Sequence, residues 1–341
     1  MPLISVCIPV YNTEPYLLQC LRSVITQSFA DFEIIVVSDS SRGKDGQGRS
    51  AKKIVRLAQK ECNAFRKQNK LSKLKIHFVE HRENRGILEV RRTLCYEAHG
   101  QYICFVDSDD ELEQGALNLL TGPFESLRDP AFSSDHADII QGKSTSGIFD
   151  EKGNFIPSAQ NRYDKITIGE LTEHQIFHEW VTSGNVLGVL WSKLIKRQLL
   201  VKAFENIPYS ECNFAEDYLI SFFVMQSAKS YIGIDKNVYR YRITSGVSSA
   251  RKIDSLHKWE MVCSTASVFT VISQWLKSNQ PKTQITPEEV DCIRRKTAAY
   301  LANNLRQMKE TVIPELQPAA RQMLCEYWVE HFVETVELQT N

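Results

Sequence analysis

The sequence predicts an α/β fold with a mostly parallel sheet flanked by helices, followed by a helical C-terminal region. Three observations predict it. The first 112 residues alternate short apolar runs with segments of helical periodicity, the strand-helix-strand rhythm of a parallel sheet. The runs at Glu33 to Val37 and Tyr102 to Val106 place apolar side chains on consecutive positions, as strands covered on both faces do. From about Lys252 the pattern changes to long helical segments. A chain of 341 residues can build a large core and, by size, two domains, which the change of pattern divides into 1–250 and 251–341.

Composition narrows the function. The 41 basic and 41 acidic residues balance, so the cationic excess that drives nucleic-acid binding is missing. Nine cysteines are scattered without a Cys-x-x-Cys, and Cys7, Cys20, Cys95 and Cys104 sit inside apolar patterns, like small core residues in a reducing cytosol. The apolar start lacks the basic residues and cleavage site of a secretory signal. The best candidate span, Val262 to Leu276, is too short and is interrupted by hydroxyl residues. A cytoplasmic protein without a transmembrane segment is the expectation.

In chain order, Leu3 to Val10 reads as a strand that stops at Pro9-Val10-Tyr11-Asn12. A helix follows, capped by Asn12 or Thr13, with Glu14 and Pro15 in its first turn and Leu17, Leu21 and Val24 on one face. The second strand ends at Ser38-Asp39-Ser40. A loop with Gly43, Gly46 and Gly48 then precedes a basic helix to about Asn69; its glycines match neither the dinucleotide fingerprint nor the Walker spacing, so it reads as a flexible loop. Leu74 to Glu80 is the third strand. Here His77-Phe78-Val79-Glu80-His81 matches the H-x-x-E-H of a class of zinc proteases. That chemistry needs a helix, because four residues along a strand span about 13 Å, too far for two histidines to share one zinc. Asn84-Arg85-Gly86 marks a turn, and a helix runs from Gly86 to His99 with Gly100 as its stop.

The fourth strand runs straight into Asp107-Ser108-Asp109-Asp110-Glu111. Residues two apart on an extended backbone share a side, with Cα atoms about 6 to 7 Å apart. Asp107 and Asp109 can therefore serve one hard divalent cation that takes phosphate oxygens and water at its other positions. The alternative is the acidic first turn of a helix through Leu117 and Leu120, with Asp110, Glu111 and Glu113 on its dipole. It accounts for the later acids but not for Asp107.

With these residues in view, the first 112 residues resemble the catalytic domain of the family-2 glycosyltransferases, which have the GT-A fold, a Rossmann-like sheet. The resemblance rests on Ser5 to Asn12, Phe32 to Val37 with Asp39, Glu83-Asn84-Arg85-Gly86, Arg91, and Tyr102 to Asp110, in the family's order and spacing. It implies that Pro9, Val10, Tyr11 and Glu14, together with Asp39, Asn84, Arg91, Asp107 and Ser108, hold a nucleotide sugar. It also implies that Asp39 meets the base, and that Asp107 and Asp109 serve the ribose, the diphosphate and a Mn2+ or Mg2+ ion. The chain departs from the family where Ser38-Asp39-Ser40-Ser41-Arg42-Gly43 replaces Asp-Asp-Gly-Ser-x-Asp and Val90-Arg91-Arg92 replaces Ala-Arg-Asn, which bears on the base and the donor sugar.

Residues 113 to 210 read as a helix to about Leu127, a strand at Ala137 to Gln141, a hairpin around Asp150 to Asn154, a helix near Glu170 to Val181, and an amphipathic segment from Val189 with Trp191 in the core and Lys193 on a solvated face. Phe214-Ala215-Glu216-Asp217-Tyr218-Leu219 then puts two acids at the start of an apolar helix. Dipole matching accounts for them by itself; the resemblance adds that Asp217 is the catalytic base and Glu216 its neighbour. Val238 to Arg242 and Ser245 to Ser248 resemble the strand and loop that end the family's catalytic region, with Arg242 either on phosphate or exposed on the strand. The segments Ile253 to Ser278, Pro287 to Lys309 and Ile313 to Glu337 carry no motif for chemistry. They read as a packed helical appendage or, more sharply, as an acceptor-recognition, dimer or peripheral membrane-surface element.

The resemblance implies an inverting transferase that moves a hexose or hexosamine from a nucleoside diphosphate donor, UDP above all, to a hydroxyl of a glycan or lipid-linked acceptor. Bacterial capsule and lipopolysaccharide precursors are the implied acceptor class. The Gln-x-x-Arg-Trp pattern of processive synthases is missing, which implies one sugar per encounter. Two rivals stand beside it. A sugar-1-phosphate nucleotidyltransferase needs a Gly-rich basic loop after the first strand, where Tyr11-Asn12-Thr13-Glu14 has no glycine. The other is a non-catalytic nucleotide-sugar-binding protein with the same fold.

Overall fold

A computed structural model describes residues 1–126, 137–150, 153–161, 163–210, 212–243, 252–279 and 283–340. Strands β1 (Ile4–Val10), β2 (Phe32–Ser38) and β3 (Ile76–Glu80) alternate with helices α1 (Glu14–Ile25) and α2 (Ala51–Gln68). Helix α3 (Ile87–Glu97) then leads to β4 (Tyr102–Phe105), which returns to the free side of β1. Both neighbours run parallel to β1, with Cys7 opposite Ile35 on one side and Phe105 on the other. The strand order therefore reverses at β1, and a doubly wound sheet opens a crevice at the carboxyl ends of its strands at such a point.

The chain continues through β5 (Glu111–Leu112), α4 (Ala116–Ser126), β6 (Ile139–Phe149), β7 (Phe155–Pro157), β8 (Gly169–Thr172) and α5 (His174–Thr182). Next come β9 (Lys193–Lys196), α6 (Arg197–Asn206), α7 (Glu216–Ser227) and β10 (Ser230–Arg242). The sheet runs β3-β2-β1-β4-β9-β6-β10-β5, with β7 beside β6 and β8 beside β10. Strand β9 is antiparallel to both β4 and β6, whereas β10 is parallel to β6. The C-terminal helices are α8 (Leu256–Cys263), α9 (Thr265–Asn279), α10 (Pro287–Thr311), α11 (Gln317–Trp328) and α12 (Glu330–Thr340), with a short 3-10 turn at Pro314–Leu316.

Each face of the sheet has its own core. Ile4, Val6, Ile8, Leu17, Leu21, Val36, Ile54 and Leu117 pack on the side of α1, α2 and α4. Cys7, Ile35, Leu94 and Phe222 pack on the other, and that cluster runs on without a break into Trp259, Phe269, Leu301 and Trp328. The helices after residue 252 thus complete a core begun by α3 and α7. None of the described helices is long and apolar enough to cross a membrane.

Several expectations change. Helix α4 begins at Ala116, so Asp110 and Glu111 precede it and are not its dipole-matched first turn. The segment read as a helix from Glu170 is strand β8 followed by α5, and the strand expected to stop at Gln141 continues to Phe149. Ile253 to Ser278 breaks into α8 and α9 where the Ser264 and Thr265 hydroxyls donate back to Met261 O and Val262 O, 2.6 and 2.7 Å away. Serine and threonine bonding of this kind competes with helix hydrogen bonds. The last segment breaks at Val329, whose φ is 68°. Gly100 is needed for a close approach rather than as a cap, since a Cβ there would lie 2.5 Å from Ser5 N. Lys193 is wholly buried, not on a solvated face, because β9 is an interior strand. The H-x-x-E-H run lies on β3, with His77 on Glu97 and His81 on Asp39. The domain boundary at 250, the Ser245 to Ser248 loop and Leu127 lie outside the described residues.

Candidate active site

A cavity of about 540 Å³ opens at the carboxyl ends of β1, β2 and β4, within the range of about 300 to 1,000 Å³ usual for small-molecule sites. It brings together Pro9, Val10 and Tyr11 after β1, Asp39 after β2, Asn84 and Arg91 around the start of α3, Asp107, Ser108 and Asp109 after β4, and Glu216 and Asp217 at the start of α7. Glu14 does not line it. The Glu14 carboxylate is buried away from the cavity, where it accepts from Ser41 Oγ at 2.6 Å and fills the space beside Gly43.

The centre of the site is Arg91. Its guanidinium is buried, lies over the Phe105 ring with 5.1 Å to the centroid, and faces three carboxylates. Nη2 is 3.2 Å from Asp107 Oδ1 and 3.2 Å from Asp217 Oδ1, and Nε is 3.2 Å from Glu216 Oε1. Burial works against the Arg91 charge, but Asp217, Asp107 and Glu216 together raise its pKa, so it stays a cation. Asp107 and Asp217 are half-buried, and partial desolvation, with carboxylates crowded around one cation, raises both of their pKa values. Burial, opposed by Arg91 and reinforced by Glu216, pushes Asp217 up to about 7. Burial, opposed by Arg91 and reinforced by Asp217 and Asp109, pushes Asp107 up to about 6. Asp217 Oδ1 is buried and, despite the nearby Arg91, has no aligned hydrogen-bond donor. Ala215, just before this helix start, sits at φ 62°, a left-handed conformation that side chains other than glycine rarely take.

The acidic turn is divided between structure and site. Tyr239 OH accepts from Asp107 N at 3.0 Å and donates to Asp110 Oδ2 at 2.8 Å, while Arg242 N donates to Asp110 Oδ1 at 2.7 Å. Asp110 therefore ties β10 beneath the turn, leaving Asp107 and Asp109 on the cavity wall. Arg242 is buried: it donates from Nε to Asp109 O at 2.7 Å and lies between the Tyr16 and Phe149 rings. It is thus neither an exposed strand cation nor part of the cavity lining. Ser108 Oγ and Thr13 Oγ1 meet at 2.6 Å, joining the ends of β4 and β1.

Asp39 is already engaged. Oδ1 accepts from His81 Nδ1 at 2.7 Å and from Arg85 N at 3.0 Å, and Oδ2 accepts from Gly86 N at 2.9 Å and Arg85 N at 3.1 Å. An ionised carboxylate has about four lone-pair positions, so most of its capacity holds the Asn84-Arg85-Gly86 turn. Gly86 takes φ 82°, and a Cβ there would fall 2.9 Å from Asn213 Oδ1. The left-handed backbone favours glycine here, and an added Cβ would also have to displace the Asn213 side chain.

Among the described residues no group of three or more His, Cys, Asp or Glu surrounds a common metal position. The donor set nevertheless suits a hard cation held by one or two carboxylates, with the rest of its shell from phosphate and water. Asp107 and Asp109 share the cavity wall, and the burial and neighbouring carboxylates that raise Asp107 are what a dication would offset. The sequence reading missed Asn213, Tyr241, His257 and Met261, which also line the cavity. His257 and Met261 are four apart on α8 and so share a helix face, a spacing without meaning until α8 is placed against the site.

A family model described as Glycosyl transferase family 2 matches residues 5–177, a little over half of the chain. Glycosyltransferase GlyA of Streptococcus pneumoniae is 28% identical over 246 residues, which cover 71% of this chain and 31% of that protein. The uncharacterized glycosyltransferase EpsJ of Bacillus subtilis is 27% identical over 245 residues, covering 71% of this chain and 61% of its own. The chain thus spans less than two thirds of either relative's length. The crystal structure of S. aureus TarS 1-349 aligns over 99% of this chain and 92% of that one, with a TM-score of 0.50 and 20% identity, which is a likeness of fold. The sheet has the GT-A arrangement, and the chain belongs to glycosyl transferase family 2.

Proposed function

We propose that the protein transfers a sugar from a nucleoside diphosphate donor, a UDP-sugar in the first instance, to a hydroxyl of a glycan or glycolipid acceptor, with inversion and one sugar per encounter. The observation that carries this reading is Asp217: a carboxyl on the cavity wall, paired with Arg91 and pushed up to about 7. A positioned base with a pKa near the working pH takes an acceptor proton most effectively, a contribution of roughly 10²- to 10⁴-fold. In this reading Asp217 accepts that proton as the hydroxyl oxygen attacks C1 of the sugar, and Glu216 keeps its neighbour oriented. Asp39 holds the turn against which the base lies, and Asp107 with Asp109 holds Mn2+ or Mg2+. When bound, that ion supplies positive charge against the departing diphosphate. His257 and Met261 stand on the acceptor side. The acceptor class, bacterial surface polysaccharide, comes from the family resemblance.

The test is incubation with individual nucleotide sugars and Mn2+, with and without EDTA, followed by product analysis. Nucleoside diphosphate plus free or transferred sugar supports the reading. Pyrophosphate chemistry would favour the nucleotidyltransferase instead, and nucleotide-sugar binding without turnover of any donor would favour a binding protein.

A further inference from the structure

We propose that the outward face of α2 docks the protein on an anionic bilayer surface. Residues 49–75 hold ten lysines and arginines and one carboxylate, Glu61, in a chain whose charges balance overall. A cationic excess that the whole composition hides is thus gathered in one segment.

The fold turns that segment into a surface. Ala51, Ile54, Val55, Ala58 and Cys62 bury the inner stripe of α2 against the sheet. At about 100° per residue, Lys52, Lys53, Arg56, Lys60 and Lys67 fall within an arc of about 100° on the opposite side, and all five are exposed. Lys70, Lys73 and Lys75, in the connection to β3, are exposed as well and extend the array. Among the described residues no carboxylate pairs with any of these eight: Glu61 is held by Arg22 at 2.7 Å, and Asp45, ahead of the helix, by Arg49 at 2.6 Å. Between α2 and the edge strand β3 lies a groove of about 460 Å³, where Lys52, Arg56 and Lys75 stand with Glu80 as the one acid.

The chemistry of the array favours a lipid surface over a nucleic acid. Seven of the eight cations are lysines, whereas arginine is the residue suited to bidentate phosphate and base contacts. Phe65 is the one aromatic residue of the segment and is half-buried, so there is no platform for stacked bases. Lysines spread along a helix face are instead attracted by the diffuse negative potential of an anionic leaflet, which demands no fixed geometry.

Charge elsewhere orients the molecule. Residues 313–341 carry five glutamates and one arginine, and α11 and α12 belong to the core on the other face of the sheet from α2. An anionic surface therefore attracts one side of the protein and repels the other. The sequence pattern allows a membrane-surface role for the C-terminal helices; the charges assign it to α2. Strand β2 ends beside Asp39 on the cavity wall, so α2 starts at the cavity end of the sheet, and docking brings a membrane-held acceptor towards the site. The choice of a bilayer rests to this extent on the glycolipid acceptor proposed above.

The test is co-sedimentation of the full chain, without donor or acceptor, with vesicles of phosphatidylglycerol and phosphatidylcholine in equal parts and with vesicles of phosphatidylcholine alone. Binding is expected to the anionic vesicles only, and to be lost between about 0.1 M and about 1 M salt, where the screening length falls from about 10 to about 3 Å. The triple variant Arg56→Gln, Lys60→Gln, Lys67→Gln is expected to bind them at least about tenfold more weakly. The control Lys277→Gln, Arg295→Gln, Lys296→Gln removes the same charge from exposed positions of α9 and α10 and should bind as the parent does. Equal binding to both kinds of vesicle, binding to neither, or an equal loss in both triple variants overturns the inference. Tighter binding to duplex DNA or single-stranded RNA than to the anionic vesicles at the same salt overturns it too, and makes the partner a nucleic acid. Donor hydrolysis with UDP-glucose or UDP-N-acetylglucosamine and Mn2+, read without vesicles, keeps the two readings apart. Turnover in a protein that ignores anionic vesicles leaves the transferase standing and refutes the docking face; selective vesicle binding without turnover of any donor does the reverse.

Discussion

The buried guanidinium of Arg91 pairs with the half-buried Asp217, with Nη2 3.2 Å from Oδ1, and the same nitrogen stands 3.2 Å from Asp107 Oδ1. One guanidinium therefore couples the strand that carries the acidic turn to the helix that carries the base. Removing one member of a buried pair leaves uncompensated charge and costs about 3 to 5 kcal/mol. Arg91→Met is expected to lose stability on that scale at pH 8 and less at pH 5, where the acids are free to protonate. Denaturant unfolding at the two pH values checks it; equal losses would mean that the acids do not depend on Arg91.

The same crowding fixes how the parent responds to pH. The folded-state pKa values of Asp107 and Asp217, about 6 and about 7, lie above the unfolded value of 3.8, so the folded protein holds more protons between these limits. Stability should then fall as pH rises through that window and level off above it. Asp217→Asn removes one anion, so its decline should be shallower and its melting temperature at pH 8 higher than the parent's. A lower melting temperature at pH 8 would contradict the surplus of negative charge.

Asp39 gives a prediction on two readouts. Its carboxylate holds the N–H groups of Arg85 and Gly86 as well as His81, and leaving buried donors unpaired costs about 1 to 3 kcal/mol. Asp39→Ala is expected to lose that much stability and to weaken UDP binding, because the turn beneath the base loosens. Calorimetry and thermal unfolding together decide the matter: weaker UDP binding with an unchanged melting temperature would make Asp39 a direct contact to the base alone.

What was legible in the sequence was the set of strand ends. Parallel strands buried on both faces must be apolar and must end abruptly, so Tyr11, Asp39 and Asp107 were visible as interruptions of apolar runs, and the reversal of strand order at β1 brings them to one crevice. Lys193 was illegible for the opposite reason. Trp-Ser-Lys-Leu-Ile-Lys has the look of an amphipathic surface segment, and only its place between β4 and β6 puts the ammonium inside. Asp39 was legible as a site residue, whereas its engagement with the Arg85-Gly86 turn depends on backbone N–H directions that side-chain patterns do not encode. The separation of the C-terminal helices as a domain came from the change to long helical segments at about Lys252, a local pattern that does not reveal that Trp259 and Phe269 share a core with Phe222.

That shared core carries a prediction for the C-terminal region. Trp259 is fully buried and donates from Nε1 to Ala320 O at 2.8 Å. Trp259→Ala should cost about 3 to 5 kcal/mol, the usual penalty for removing a core aromatic. His257→Ala, two residues away and exposed at the cavity mouth, should leave stability near the parent's while altering the acceptor dependence of transfer. Truncation before Ile253 should yield no folded protein; a soluble, cooperative fragment that still binds UDP would restore a separable catalytic domain.

The claim on which the account turns is that Asp217 takes the acceptor proton. Asp217→Asn is nearly isosteric and keeps the shape of the Arg91 cluster, so UDP binding should stay near the parent's. The decisive measurement is turnover of this variant at saturating donor and acceptor. The account predicts a loss of at least about 10²-fold, the lower end of what a positioned base contributes; a rate within a few-fold of the parent would contradict it and turn attention to Glu216.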